Sequence, residues 1–430
     1  MTLPPRLLGS AEVIAVGSEM LGAARIDTNS LFLGERLASL GIDLRAKTVV
    51  GDRRADLATF FRQALDRVDL VILTGGLGPT DDDLTRDVVA DVLGLEMRED
   101  PEIVESIRQR FARRGLRMPE INRRQAMVPT GATVLDNPNG SAPGLLLTHR
   151  DRVVLLLPGP PREMKPMFEL IAASALEPRA RKERFTRTVL FVVGRSESHV
   201  EEAIQPIYAP LAQTVPPIET TILAAPGQIE VHLTALSTDP AAAAAALASA
   251  RDRMVAALGD DVFTTEGRPL EQVVGDLLAR NGSTIAAAES CTGGLLLSRL
   301  TDIPGSSAYV LGGVVAYSND LKTAFADVPV ELIHQHGAVS EPVATAMAQG
   351  IRKRTGATYG VGITGIAGPG GGTPTKPVGT VALAVEGPAT SAVRTAQFTG
   401  GRAQIKHYAS QIGLDMVRRM IGRDAVVRRD

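Results

Sequence analysis

The sequence predicts an α/β protein: two α/β domains with mainly parallel sheets flanked by helices, joined by a small α+β middle domain. Short apolar runs that end in glycine alternate with segments of helical periodicity, as parallel strands and crossover helices do. This alternation is interrupted in the middle of the chain and then resumes. A chain of 430 residues also exceeds the usual size of one domain. We therefore expect domains at residues 10–178, 179–264 and 268–424.

The first domain opens with the order strand, helix, strand, helix, strand. Leu33, Leu37 and Leu40 fall close to helical spacing, and Gly41 is placed to end that helix. The buried strands read as continuous apolar runs, which is typical of a parallel sheet. The predicted elements are a strand at 11–17, a helix at 28–41, a strand at 42–52, a helix at 55–67, and strands at 69–76 and 153–161.

The middle and third domains show different patterns. The middle domain contains no glycine-rich phosphate loop, and Ser196 is placed to cap a helix. Its predicted elements are strands at 187–194, 218–225 and 228–236, with helices at 196–204 and 240–258. The third domain alternates again, and Ser340-Glu341-Pro342 is a helix start. Its predicted elements are strands at 283–291, 309–318, 358–368, 378–386 and 392–398, with helices at 293–302, 341–355 and 404–420.

Composition excludes several classes of protein. The apolar fraction of 44% is that of a globular protein, and the net charge of −2 gives no field that attracts nucleic acid or anionic lipid. Aromatic residues at 3% and the absence of Trp argue against base-stacking surfaces. One cysteine excludes an intrachain disulfide. We read no signal peptide and no apolar run of about 18 residues. We expect a cytoplasmic protein that binds neither nucleic acid nor membrane.

A glycine-rich turn follows a strand of the first domain in TGGLGPTDDDLTRD (74–87). Ligands of open α/β sheets bind at the carboxyl ends of the strands, where this turn lies. Glycines let backbone amides approach an anion at the start of the following helix. The stretch is not a P-loop, because no Gly-Lys-Ser/Thr follows. The predicted anion-binding residues are Gly75, Gly76 and Gly78.

Acidic residues follow the same turn. Asp81, Asp82 and Asp83 supply carboxylates suited to a divalent metal ion, although an acidic run also caps a helix. Asp52 and Glu19 each follow a predicted strand and should reach the same edge of the sheet. The candidate metal ligands are therefore Asp52, Asp82, Asp83 and Glu19.

The third domain contains AAAESCTGG (286–294), in which a strand turns into a helix. Ser290 is a candidate nucleophile, because its hydroxyl would lie at a helix N-terminus. The amides of Thr292, Gly293 and Gly294 are candidates to bind either an oxyanion or a phosphate, and the sequence does not choose between the two.

The serine needs a base, and no histidine accompanies it. His336 lies in another motif and precedes a helix start, so a Ser-His-Asp triad is disfavoured. Tyr317 and Lys322 are the base candidates, since a lysine that loses its solvation has a lowered pKa and can accept a proton. The alternative is an ordinary solvated lysine at a helix start. Cys291 lacks a histidine partner, and we predict that it packs in the interior.

The segment TGIAGPGGGTPTKP (364–377) is too rich in Gly and Pro for a helix or a central strand. Its amides, with hydroxyls from Thr364 and Thr373, could close around a ribose-phosphate, although flexible surface turns have the same composition. The candidate binding residues here are Thr364, Gly365 and Gly368.

These motifs resemble those of the CinA family. VGSEMLGAARIDTN (16–29) and LTGGLGPTDDDLT (73–85) resemble its N-terminal half, which is similar to molybdopterin-binding domains. AESCTGG (288–294), PGSSAYVLGGVVAYSNDLK (304–322) and ITGIAGPGGGTPTKPVGTV (363–381) resemble its C-terminal domain. The family pattern has Thr where this chain has Ser18, which keeps the hydroxyl. The resemblance spans nearly the whole chain and keeps the order of the motifs.

The resemblance implies two activities. The C-terminal domain would be a nicotinamide-nucleotide amidase that converts nicotinamide mononucleotide and water to nicotinate mononucleotide and ammonia without a cofactor. The N-terminal domain would be a pyrophosphatase that cleaves ADP-ribose or a similar nucleotide with a divalent metal ion, and Asp52 and Asp83 match acidic positions of its relatives. A homodimer is expected. The competing hypothesis is a non-catalytic pterin- or nucleotide-binding scaffold that acts in competence or the response to DNA damage.

Two further residues enter as substrate-binding candidates. Arg402 lies in FTGGR (398–402), which resembles a family stretch with Asp before the Arg; here Gly401 takes that place, so a supporting carboxylate is absent. Asn319 lies in the matched stretch that also holds the candidate base.

Overall fold

The computed structural model describes residues 7–23 and 25–427. The start of the chain, on which the prediction of no signal peptide depends, lies partly outside these residues. The chain divides into two compact units, one formed by residues up to 186 with 236–240, the other by 187–235 with 241 onward. Helices flank the sheets of both units, so the α/β class is confirmed. In the described ranges, no helix combines the length and hydropathy of a membrane span.

The elements of the first unit are β1 (Ser10–Val16), α1 (Asn29–Ser39), β2 (Asp43–Val50), α2 (Arg54–Arg67), β3 (Leu70–Thr74), α3 (Thr85–Leu93), β4 (Met97–Glu99), α4 (Pro101–Ala112), β5 (Met127–Pro129), β6 (Thr133–Leu135), β7 (Gly144–His149), β8 (Arg152–Leu157) and α5 (Pro161–Ile171). The unit is built on a six-stranded sheet in the order β2-β1-β3-β8-β7-β6. Strands β2, β1, β3 and β8 are parallel, whereas β7 and β6 pair antiparallel at one side.

The core of the first unit lies on both faces of this sheet, because successive strand side chains point in opposite directions. Ile72 of β3 belongs to the cluster that contains Leu37 and Phe168. Its neighbour Leu73 belongs to the cluster on the other side with Phe61. All five residues of β3 are buried, which explains its continuous apolar sequence.

The elements after α5 are β9 (Arg184–Val192), α6 (Glu197–Tyr208), β10 (Ile218–Ala225), β11 (Gln228–Ser237), α7 (Pro240–Leu258), β12 (Val262–Thr264), α8 (Leu270–Arg280), β13 (Ile285–Glu289), α9 (Leu295–Thr301), β14 (Val310–Val315), α10 (Asn319–Ala326), α11 (Val330–His336), α12 (Glu341–Thr355), β15 (Tyr359–Gly365), β16 (Thr380–Glu386), β17 (Ser391–Gln397) and α13 (Arg402–Val427). The strands among them form two sheets. The middle sheet has the order β10-β11-β9-β12, and the C-terminal sheet has the order β14-β13-β15-β16-β17.

The middle sheet has a hydrophobic core of its own, in which Val200 of α6 and Met254 of α7 pack with Val231 of β11. The structure groups residues 187–235 with the C-terminal sheet in one compact unit. The division of the chain into three domains therefore stays a prediction.

The C-terminal sheet is mixed. Strands β14, β13 and β15 are parallel, and β16 and β17 continue the sheet in antiparallel fashion. Helix α12 lies directly on β15, since a Cβ at Gly362 would come within 2.1 Å of the Ala344 carbonyl oxygen. Glu289, the last residue of β13, pairs with Val315 and Ile363 of its two neighbours. The segments that follow these parallel strands therefore meet at one edge of the sheet.

Candidate active site

Ser290 lies at this edge, in the turn between β13 and α9. Its amide donates a hydrogen bond of 2.8 Å to the Ile363 carbonyl, which extends the sheet by one residue. The turn closes when the Gly293 amide donates to the Ser290 carbonyl at 3.1 Å. Gly293 and Gly294 have φ angles of 65° and 90°, a left-handed region that favours glycine. The two glycines thus allow the chain to reverse directly after the candidate nucleophile.

Lys322 is brought to this turn by α10. Ser318 caps that helix by accepting a hydrogen bond from the Leu321 amide at 3.2 Å. The Lys322 side chain points inward and is only 2% exposed. Its Nζ lies 3.1 Å from the Ser290 Oγ. The alternative of a solvated helix-start lysine is therefore wrong.

The three oxygens that the Lys322 amine contacts are all neutral. Besides the serine, Nζ lies 3.1 Å from the Ala316 carbonyl oxygen and 3.4 Å from that of Tyr317. An ammonium can donate to all three oxygens, whereas a neutral amine can donate to the two carbonyls and accept from the serine hydroxyl. Burial lowers the pKa of Lys322 below its ordinary value, and no carboxylate is among these contacts to oppose the shift. The short distance to Ser290 and the direction of the pKa shift both support a lysine that can accept the serine proton.

Cys291 has a packing position, as predicted. The thiol is buried in the core cluster that also contains Leu296 and Ile405. Burial raises the pKa of the Cys291 thiol to about 12, so the reactive thiolate is strongly disfavoured at neutral pH.

Glu289 has a role that sequence reasoning missed. Its side chain is completely buried, and its two carboxylate oxygens accept hydrogen bonds from the amides of Leu296 at 3.1 Å and Leu297 at 3.0 Å. A carboxylate at the first turn of a helix is stabilised by the free amides and the helix dipole. The sequence did contain a signal for this role, namely a charged residue at the end of an apolar strand.

The three backbone amides predicted to bind an oxyanion or a phosphate differ in how free they are to do so. Thr292 is fully buried and its Oγ1 has no hydrogen-bond partner within the described part of the chain, so binding of a substrate by its amide stays a prediction. The Gly293 amide is engaged inside the turn. The Gly294 amide has no backbone acceptor among the described residues, and Gly294 is partly exposed. Gly294 is therefore the remaining candidate donor for an oxyanion.

Tyr317 does not contact the serine through its hydroxyl, which corrects its assignment as a base. The side chain is exposed, and its hydroxyl accepts a hydrogen bond of 2.7 Å from Arg402 Nη2. The same guanidinium donates to the Gly368 carbonyl at 2.8 Å. These neutral partners hold Arg402 although Gly401 replaces the expected carboxylate. Asn319 is exposed at the start of α10.

The first two residues of the glycine-rich segment 364–377 make contacts that stabilise the fold. Thr364 is buried and its hydroxyl donates to the Ala338 carbonyl at 2.8 Å, so its proton is not available to a substrate. Gly365 makes room for β16, since a Cβ there would lie 2.7 Å from Val381 Cγ2. The prediction that Thr364 and Gly365 bind substrate is therefore not supported by their contacts.

The first unit contains a separate cavity of about 750 Å³ at the carboxyl edge of its own sheet. A cavity of this size can hold a nucleotide-sized ligand. All seven residues predicted for this site line it: Glu19, Asp52, Gly75, Gly76, Gly78, Asp82 and Asp83.

The glycine turn that lines this cavity is packed against β1 and hydrogen-bonded by Arg86 of α3. A Cβ at Gly75 would lie 2.3 Å from the Val16 carbonyl oxygen, and Gly75 has a φ of 95°. Arg86 of α3 is buried and donates to the carbonyls of Leu77 at 2.6 Å and Gly78 at 3.0 Å. Burial lowers the pKa of Arg86 to about 10. Sequence reasoning did not find this arginine, whose spacing from the turn carries no recognisable signal.

The predicted metal ligands share the cavity but not a coordination sphere. The Asp52 carboxylate accepts from the Ser18 amide at 2.8 Å, and that of Asp83 accepts from the Thr80 amide at 2.9 Å. Asp81 pairs with Arg124 at 2.6 Å. Over the described ranges, no three His, Cys, Asp or Glu side chains are gathered as a metal site. The arrangement seen here does not fit a bound metal ion, and we derive no step through one.

Comparison with known proteins covers nearly the whole chain. Residues 12–178 match the family model described as "Probable molybdopterin binding domain", and residues 267–421 match "CinA C-terminal domain". A CinA-like protein from Koribacter versatilis is 45% identical over 415 residues, 96% of this chain and 99% of the relative. A CinA-like protein from Acidobacterium capsulatum is 46% identical over 416 residues, again 96% and 99%.

Among solved structures, the chain is similar to the competence/damage inducible protein CihA from Agrobacterium tumefaciens. The two are 38% identical, with a TM-score of 0.35, over 35% of this chain and 93% of that one. The protein CinA from Thermoplasma acidophilum is 33% identical, with a TM-score of 0.36, over 38% of this chain and 97% of that one.

Proposed function

The chain belongs to the CinA family, and we propose that its C-terminal site hydrolyses the carboxamide of nicotinamide mononucleotide to nicotinate mononucleotide and ammonia. One observation carries the reaction type: the buried Lys322 Nζ lies 3.1 Å from the Ser290 Oγ. Ser-Lys pairs are a known variant of the serine nucleophile and base. The choice of substrate rests on the family resemblance of the sequence motifs.

Acylation begins when neutral Lys322 accepts the proton of the Ser290 hydroxyl. The Oγ attacks the carboxamide carbon, and the carbonyl oxygen becomes an oxyanion beside the Gly294 amide. When the C–N bond breaks, the Lys322 ammonium gives its proton to the leaving nitrogen, which departs as ammonia. The products of this half-reaction are a serine ester and a neutral lysine.

Deacylation repeats the sequence with water. Lys322 takes a proton from a water molecule whose oxygen attacks the ester carbon, and the proton passes to the Ser290 oxygen as the C–O bond breaks. The acid is released and the starting state is restored. The groups used in the two half-reactions are Ser290, Lys322, the Gly294 amide and water.

The test is ammonia release from nicotinamide mononucleotide by the purified chain, with and without a chelator. We expect activity that the chelator leaves unchanged. Ser290→Ala and Lys322→Ala should each lower kcat by about 10³-fold or more, the range for loss of a nucleophile or base. Cys291→Ala should keep substantial activity, because its thiol is buried and protonated. An active Ser290→Ala beside a folded but inactive Cys291→Ala would overturn the serine assignment.

For the N-terminal cavity we propose a nucleotide ligand of the ADP-ribose type. The supporting observation is the glycine turn, whose carbonyls accept hydrogen bonds from Arg86 and which lines a cavity of about 750 Å³ together with Asp52 and Asp83. The test is cleavage of ADP-ribose with and without added divalent cations. Metal-dependent cleavage would require the carboxylates to change partners on binding.

The competing function is a scaffold that binds pterins or nucleotides without turning them over. Binding of these ligands without release of ammonia or cleavage of ADP-ribose would favour it. The expected homodimer is a separate proposal, which light scattering on the purified chain tests.

A further inference from the structure

Lys406 lies one helical turn after Arg402 on α13. Residues four apart on a helix share one face, so the two cations point the same way. Arg402 contacts Tyr317 and Gly368 at the proposed site. Lys406 reaches the turn that carries the nucleophile, because a Cβ added at Gly293 would lie 3.5 Å from the Lys406 Nζ. The amine therefore lies beside the exposed side of the serine turn.

Lys406 has no counter-charge in the described part of the chain. No carboxylate forms an ion pair with it there, although it is partly buried. Arg402 donates only to a neutral phenol and a carbonyl, and Lys322 contacts only neutral oxygens. The buried carboxylate beside them, Glu289, is engaged by the amides of α9.

Lys406 beside the serine turn and Arg402 at Tyr317 are thus two cations near the proposed site, and among the described residues no carboxylate forms an ion pair with either. Partly buried positive charge is costly unless a negative group compensates it. Lysine is well suited to bind phosphate as a point charge. The exposed Gly293, with no side chain of its own, leaves the space above the turn open to such a group.

We infer that Lys406 binds the phosphate of the nucleotide substrate and thereby selects the nucleotide over the nucleoside. This inference rests on the proposed function and adds to it the residue that recognises the anionic end. The carboxamide lies at the Ser290–Lys322 pair, and the phosphate lies at Lys406 on the outer side of the Gly293 turn.

The kinetic test compares nicotinamide mononucleotide with nicotinamide riboside, which lacks the phosphate. We expect Lys406→Ala to raise the KM for the nucleotide about tenfold or more, the size of a lost charge-assisted contact. Its kcat should stay within about threefold, and its kcat/KM for the riboside should not change. Lys406→Arg should restore much of the nucleotide affinity. Lys353→Ala, which removes an exposed lysine of α12, is the matched control.

A binding measurement separates this inference from the proposed reaction. Calorimetry on Ser290→Ala, with and without Lys406→Ala, gives the affinity for nicotinamide mononucleotide without turnover. If the wild-type protein releases no ammonia but binding depends on Lys406, the reaction fails and the phosphate site stands. Equal nucleotide affinity or KM with and without Lys406, in variants whose circular dichroism is unchanged, would overturn the inference.

Discussion

Lys322 shows how position gives a common residue an uncommon property. An exposed lysine is protonated at neutral pH and cannot act as a base. Here the amine is enclosed at 2% exposure and faces two carbonyls and a serine. Because removal from water penalises the ammonium form, the pKa of Lys322 falls. Of the two base candidates, Tyr317 and Lys322, only Lys322 thus has a side chain that contacts Ser290.

The first prediction concerns pH. Hydrolysis requires neutral Lys322, so kcat/KM should rise as pH increases through the pKa of this amine. Because burial lowers that pKa, the rise should occur below the ordinary lysine value of about 10.4. Lys322→Arg should lower kcat/KM by about 10³-fold and abolish the rise, since a guanidinium does not release its proton. The measurement is ammonia release across pH, with Lys353→Arg as control. A Lys322→Arg variant that keeps the wild-type profile would contradict the base assignment.

At the scale of elements, the serine turn depends on the helix that follows it. Helix α9 has only seven residues, and a helix this short needs tertiary support. Glu289 supplies it by accepting from two first-turn amides. The same residue ends β13 immediately before Ser290. Strand, nucleophile and helix are therefore joined by one buried carboxylate.

The second prediction tests this connection. Glu289→Ala should reduce the free energy of local opening of α9 by about 2 kcal/mol, because the amides of Leu296 and Leu297 lose a charged acceptor. Glu289→Gln should cost less, since the amide side chain keeps one acceptor oxygen. Amide hydrogen exchange of Leu296 and Leu297 measures the effect. Glu331→Ala, at an exposed residue of α11, is the control. Equal protection of α9 in Glu289→Ala and Glu331→Ala would show that the carboxylate does not support the helix.

At the scale of the molecule, the two units place their candidate sites at the same position in a sheet but line them with different residue types. Each has sheets and hydrophobic clusters of its own, and each carries its candidate site at the carboxyl edge of parallel strands. In the first unit the edge carries glycines and carboxylates around a cavity. In the second it carries a serine and a buried lysine. Separate cores imply that the two sites can be changed independently.

The third prediction follows from this separation. Arg86→Ala leaves two carbonyls of the glycine turn without their donor and should weaken ADP-ribose binding about tenfold, with ammonia release unchanged. Ser290→Ala should abolish ammonia release and leave the Kd for ADP-ribose within about twofold. Calorimetry and the ammonia assay measure both, and Arg45→Ala, at an exposed arginine of β2, is the control. Loss of ammonia release in a folded Arg86→Ala would reveal coupling between the sites.

Local patterns predicted much of the fold. The continuous apolar runs of β3 and β13 are buried at every residue, as parallel central strands should be. Gly41 follows α1 with a φ of 76°, as the helix-end signal indicated. Sequence reasoning predicted β16 and β17 as strands but not their antiparallel direction, and it predicted neither β6 nor β7. Strand direction depends on which neighbours pair. That choice is made by tertiary contacts.

The sequence by itself determined the class of the fold and the two site-bearing turns, and it offered Lys322 as one of two base candidates for Ser290. The fold class and the turns follow from local features, since apolar periodicity and glycine turns act over a few residues. Only the tertiary structure decided which side chains meet. It turned Lys322 inward and Tyr317 toward Arg402, buried Thr292 and Thr364, and assigned Glu289 to α9. The reason is physical: burial and the distance between groups far apart in the chain set these contacts and the pKa of the lysine.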